Sequence, residues 1–212
     1  MGKNTVRIIR ELLKKEYPDA KTALDHSNPL ELLVATILSA QCTDKRVNIV
    51  TEALFKKYRT VDDYAKADPK VFEQDIRSTG FYKSKAKNII AAAQKIARDF
   101  GGNIPNSMEE LIKLPGVARK TANIVLFTAF GKIEGIAVDT HVRRLSQRLG
   151  FTRNNDPEKI EQDLMKWLER KDWGDFSHLL IEHGRKICNA KRPGCLECAL
   201  QKLCPSRKEF YP

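Results

Sequence analysis

Apolar positions recur along the chain at intervals of three and four residues, and no run alternates apolar and polar residues long enough to argue for a sheet. The pattern predicts an all-α protein. Residues 5–17 place Val6, Ile9, Leu12, Leu13 and Tyr17 on one face, with Asn4 or Thr5 as cap and Pro18 as stop. In "SNPLELLVATILSAQ", Asn28 can cap, Pro29 suits the first helical position, and Leu30 to Leu38 is apolar almost all round. A helix of that kind is expected to run through a core.

Further start signals follow along the chain. Thr43 or Asp44 can cap "TDKRVNIVTEALFKKY", and Asp68 before Pro69 opens "DPKVFEQDI". "SKAKNIIAAAQKIARDFGG" reads as a helix stopped by Gly101, and Ser107 with Glu110 forms a capping box in "NSMEELIKL". After Asp156 and Pro157 come "EKIEQDLMKWLER" and then "DFSHLLIEHGRKIC", both amphipathic. No low-complexity linker and no solenoid repeat interrupts them.

The 212 residues suffice for a real core, in one large domain or two small ones. Lys and Arg number 38 against 27 Asp and Glu, a formal net charge of +11. That surplus points to a polyanion, nucleic acid ahead of acidic membrane. The N-terminus has no stretch of signal-peptide character, and nowhere do eighteen uncharged apolar residues run together, so a soluble intracellular protein is expected. In a reducing compartment, five cysteines with four crowded near the C-terminus suggest metal rather than disulfides.

In "LIKLPGVARKTANIVLFTAF" a helix is expected to end at Pro115, Gly116 permits a tight turn, and a second helix begins near Arg119. The backbone dipole disfavours cations in a first turn, so Arg119 and Lys120 there call for a reason. Outward amides at the start of that helix can hold a phosphate, which makes the neighbouring charges useful on DNA. "LPGVARKTA" followed by "AVDTH" resembles the signature of the helix-hairpin-helix DNA base-excision glycosylases, and the likeness to their endonuclease III branch extends over nearly the whole chain. Ala118 stands where that family commonly has a second glycine.

An amine beside another cation and at a helix N-terminus is expected to lose its proton more readily than a free lysine, so Lys120 reads as a phosphate contact or a nucleophile. The resemblance implies the nucleophile: it attacks C1′ of a damaged nucleotide, expels the base, and forms a Schiff base from which the 3′ phosphate leaves by β-elimination. Asp139 precedes Val142, Leu145 and Leu149 at helical spacing, with Gly150 closing the helix, and is predicted as its N-cap. A capping carboxylate favours its ionised form, and the resemblance makes Asp139 the catalytic aspartate that stabilises positive charge on the sugar.

Cys188, Cys195, Cys198 and Cys204 are separated by six, two and five residues. Tetrahedral zinc and an iron-sulfur cubane both accept four thiolates, with zinc the usual default. The spacing resembles the loop that ends endonuclease III proteins, which implies a [4Fe-4S] cluster in a structural role, since so short a tail with little apolar content needs a metal to fold. Between two ligands, "CNAKRPGC" offers Lys191 and Arg192 to a phosphate.

A glycosylase that extrudes its target needs something to fill the hole and something to wedge the other strand. By resemblance these are Gln41 in "SAQCTD" and Phe81 after Gly80. Asp44 matches an acid lining the family's pocket, though it suits a first helical turn equally. Cys42 reads as a small buried side chain, His26, His178 and His183 as structural, and His141 and Arg143 as groups near the sugar or a phosphate. With Gly116, Ala118 and Arg119, these complete the expected DNA contacts.

The resemblance implies two helical lobes, residues 23–133 and a discontinuous lobe of 1–22 with 134–212, with the DNA groove between Lys120 and Asp139. It implies a monomeric bifunctional glycosylase and abasic-site lyase that removes oxidised pyrimidines from double-stranded DNA in the cytoplasm, at the nucleoid and away from membranes. Two rivals stand beside it. One is a monofunctional mismatch glycosylase, against which Lys120 speaks; the other is a noncatalytic, metal-stabilised DNA-binding module.

Overall fold

A computed structural model describes residues 2–211, and every regular element among them is helical. None of these helices is long and apolar enough to cross a membrane. The chain divides into two compact units, Ala23–Lys132 and the combination of Met1–Thr22 with Ile133–Pro212. Ile133, expected with the first of these, goes with the second, where its carbonyl accepts from Arg170 Nε at 2.9 Å.

Helix α1 (Lys3–Glu16) begins earlier than the cap signals suggested. Its first bonds run from the amides of Thr5 and Val6 to the Gly2 carbonyl, at 3.0 and 3.3 Å. Neither Asn4 nor Thr5 is the cap; both lie inside the helix, and Asn4 accepts from Arg7 Nη2 instead.

The unit Ala23–Lys132 contains α2 (Pro29–Leu38), α3 (Asp44–Lys57), α4 (Val61–Ala65), α5 (Pro69–Asp75), α6 (Tyr82–Phe100), α7 (Met108–Leu111) and α8 (Arg119–Phe130). Local chemistry sets several starts. Asn28 accepts from the Glu31 amide at 3.0 Å, Thr43 from Arg46 at 3.3 Å, and Asp68 from Val71 at 2.9 Å. Helix α2, apolar on every side, is buried from Leu32 to Leu38, with α3, α6 and α8 packed around it. Tyr58, Tyr64 and Phe72 pack ring against ring beside α6, with Tyr58 5.3 Å from Tyr64 and 5.1 Å from Phe72. Short α4 and the 3-10 turn Arg77–Thr79 were not foreseen. Helix α7 is a single turn whose capping box is half closed. Ser107 accepts from the Glu110 amide, while Glu110 receives the Ser107 hydroxyl rather than its amide.

The other unit joins α1 to α9 (Thr140–Arg148), α10 (Pro157–Trp167), the 3-10 turn Arg170–Asp172, α11 (Trp173–Lys186) and short α12 (Arg207–Phe210). Helix α11 packs against α1 and α9, and α10 against α9. Val6, Ile9 and Leu13 of α1 enter one core with Val142, Leu145, Phe176 and Leu180, each such side chain contributing about 1.5–3 kcal/mol. Gly184 sets the approach of α11 to α9, because a Cβ there would lie 3.0 Å from Arg144 Nη2 and 3.1 Å from His141 Cδ2.

Candidate active site

The turn before α8 is pinned from below by buried Leu114 and Val117, whose amides reach back to the Leu111 and Leu114 carbonyls at 3.0 and 3.1 Å. The preceding helix has already ended at Leu111, not at Pro115. Gly116 takes φ +78°, and a Cβ on it would meet Asn88 Cβ at 2.8 Å, so glycine is demanded by both conformation and space. Ala118, by contrast, is extended at φ −89° and ψ 170°. A second glycine is not required at that position. Ala118 has no side chain to cap α8, and the first turn holds no acid, which leaves its amide end electropositive. Arg119 is half-buried and Lys120 is exposed on this turn.

Asp139 is the N-cap of α9 and follows the buried run Ile136, Ala137 and Val138. Its Oδ1 accepts from the amides of His141 and Val142, both at 2.8 Å, and Oδ2 lies 3.1 Å from His141 Nδ1. His141 is half-buried and Arg143 exposed. One turn further, Arg144 and Arg148 face the cysteine segment. Arg144 donates to the Gly184 and Cys188 carbonyls, and Arg148 donates to the Asn189 and Ala190 carbonyls and to Cys188 Sγ at 3.3 Å. The Phe210 ring lies 4.5 Å from the Arg148 guanidinium carbon. Charge alone marked neither arginine as structural.

Gln41 and Phe81 lie in turns, both exposed, and Phe81 presents 64% of its surface. Asp44 is a first-turn residue of α3, with Thr43 as the cap. Cys42 is partly buried against the core of this unit. Lys85 was not foreseen as a buried residue. It falls on the apolar stripe of α6 with Ala86, Ile89 and Ile96, is buried, and burial pulls its pKa below the ordinary lysine value.

Cys188, Cys195, Cys198 and Cys204 line one pocket with Leu145, Leu149, Ile187 and Leu200. Burial raises the Cys195 and Cys204 thiols and pushes Cys198 up to about 11. His183 bridges this pocket to α1, with Nε2 3.4 Å from Cys198 Sγ and Nδ1 2.9 Å from the Tyr17 hydroxyl. No group of three or more His, Cys, Asp or Glu side chains among the described residues is arranged to hold a single metal ion. Lys191 and Arg192 are exposed between the first two cysteines, where Arg192 N donates to Asn189 Oδ1 at 2.9 Å.

Comparison with known proteins gives this geometry a context. Residues 34–170 match the family model described as "HhH-GPD superfamily base excision DNA repair protein". The endonuclease III of Synechocystis sp. is 56% identical over 195 residues, which cover 92% of this chain and 89% of that protein. A solved non-covalent endonuclease III-DNA complex superposes with a TM-score of 0.94 at 46% identity, covering 99% of this chain and 98% of that one. A trapped endonuclease III-DNA covalent intermediate, an estranged-adenine complex, gives the same TM-score at 45% identity and the same coverage. The chain belongs to the HhH-GPD superfamily of base excision DNA repair proteins.

Proposed function

We propose that the protein is a bifunctional DNA glycosylase and abasic-site lyase of the endonuclease III kind, acting on oxidised pyrimidines in double-stranded DNA. The observation that carries this reading is Lys120, exposed on the electropositive first turn of α8, in a chain 45% identical to an endonuclease III trapped covalently on DNA.

The Lys120 amine attacks C1′ of the damaged nucleotide, and the glycosidic pair leaves with the base. Loss of the amine proton and opening of the sugar give a Schiff base to C1′. Removal of a C2′ proton then expels the 3′ phosphate by β-elimination. Asp139 supplies the negative charge that stabilises the sugar cation as the glycosidic bond breaks. Its Oδ1 is fixed by two amides, so the carboxylate needs little reorganisation for that task. Amides around Gly116 and Ala118, with Arg119, Arg143, His141, Lys191 and Arg192, hold phosphates. Gln41 fills the space left by the flipped nucleotide, Phe81 wedges the opposite strand, and Asp44 lines the pocket.

The four cysteines suit a [4Fe-4S] cluster. Cys188, Cys195, Cys198 and Cys204 line one pocket with Leu145, Leu149, Ile187 and Leu200, and it is the spacing of six, two and five residues between them that favours the cluster over zinc. Such a cluster, held by Cys188, Cys195, Cys198 and Cys204, would supply the cross-links that order residues 188–204. This chain's own Arg144 and Arg148 hold the backbone around the first ligand.

Borohydride trapping on a duplex with one abasic site tests the reading. Wild-type protein should form a covalent complex, and Lys120→Ala and Lys120→Arg should form none. Tight binding by the wild type without a crosslink would instead indicate a monofunctional glycosylase or a binding module.

A further inference from the structure

Lys85 sits on the buried face of α6 with only 4% of its surface exposed. A buried ammonium persists where acceptors receive its N–H groups in hydrogen bonds. Here Nζ donates to two main-chain carbonyls, Leu38 O and Thr79 O, both at 2.8 Å. Leu38 is the last residue of α2, where carbonyls have no intrahelical partner, and Thr79 ends the 3-10 turn Arg77–Thr79. One side chain therefore closes two elements that are distant in sequence.

Both closed ends run directly into strained turns. Gln41, three residues beyond Leu38, has φ +52°, and Phe81, two beyond Thr79, has φ +48°. These are the non-glycine residues with positive φ among the described residues. Left-handed backbone at a bulky residue persists only when its surroundings over-determine it. The Cys42 amide closes one turn on the Ser39 carbonyl at 3.1 Å, and the Lys85 amide itself bonds the Phe81 carbonyl at 3.0 Å. Lys85 thus grips the Phe81 turn by main chain and side chain together, and the Gln41 turn by side chain.

We propose that Lys85 is a positioning residue for strand opening, whose ammonium fixes the Gln41 and Phe81 turns relative to each other so that the two side chains enter the duplex as one unit. The proposal rests on the reading of Gln41 and Phe81 as the groups that enter the duplex. It adds a residue that touches neither DNA nor the reacting atoms. Its effect belongs to the opening of paired DNA, and the chemistry at Lys120 is untouched.

Single-turnover excision separates these contributions. One substrate carries thymine glycol paired with adenine in a duplex; the other carries it in an unpaired bubble, where no strand opening is needed. Lys85→Met should lower excision from the duplex about tenfold, the size of an ordinary coupling between contacting groups, and leave the bubble rate unchanged. Fluorescence of a 2-aminopurine opposite the lesion should fall in parallel, and Lys85→Arg should recover most of the duplex rate. If Lys85→Met does not fold, Lys85→Gln, which is polar but too short and uncharged to hold both carbonyls as the ammonium does, carries the same expectation. An equal loss on both substrates, or no loss on either in protein that melts cooperatively, overturns the proposal. Gln41→Ala with Phe81→Ala serves as the control. A duplex defect there without one in Lys85→Met overturns the positioning role alone, and no defect in the control overturns the underlying reading as well.

Discussion

On the function proposed above, Asp139 has two duties for one carboxylate, capping a helix and stabilising the sugar cation. Oδ1 caps α9 through two amides, and Oδ2 faces His141. Asparagine keeps the oxygen that the amides need and removes the charge. Asp139→Asn is therefore expected to melt close to the wild type while base excision falls about a hundredfold, as measured by single-turnover release of the damaged base. Alanine removes both. Asp139→Ala should lose the same activity and in addition about 1–2 kcal/mol of stability, read from denaturant unfolding. Equal melting of the two variants would show that the cap contributes nothing. Asp139 was legible in the sequence as a cap because capping is local chemistry. Lys85, Arg144 and Arg148 were not, since a cation in a helical sequence reads as solvated surface until the fold puts carbonyls around it.

At the level of elements, the hairpin between α7 and α8 separates what a glycine must do from what it need not. Gly116→Ala meets both a left-handed φ and the Asn88 side chain, and should be destabilised by more than the roughly 1–2 kcal/mol of backbone strain alone. Adding Asn88→Ala should recover little of that loss, because the Asn88 Cβ, the nearest atom at 2.8 Å, survives the change and the left-handed φ remains. Ala118→Gly should leave DNA affinity unaltered, measured by fluorescence anisotropy on an abasic duplex, since φ −89° needs no glycine. The caps followed by proline at Asn28, Asp68 and Asp156 were readable because side chain and backbone within four residues decide them. Helix α6 was not readable in the same way. It starts at Tyr82, two residues before the expected Ser84, behind a left-handed Phe81 that offers no side-chain cap and is held by Lys85. There tertiary contact overrides the local signal.

For the molecule as a whole, one unit is continuous in the chain and the other is not. Ala23–Lys132 has a core made entirely from its own residues. The other unit has Val6, Ile9 and Leu13 of α1 buried with side chains from beyond residue 133. Synthesis from the N-terminus delivers these parts in an awkward order. An emerging chain presents the apolar stripe of α1 long before α9 and α11 exist to cover it, while the inserted unit can close as soon as residue 132 is free of the ribosome. Nascent chains stalled just past that point should resist protease across residues 23–132 and remain cleavable within residues 3–16. Chains released after residue 200 should resist in both. During the interval, α1 is an exposed amphipathic segment whose only stable cover is still being made, and this is the stage at which a nascent-chain chaperone has something to hold.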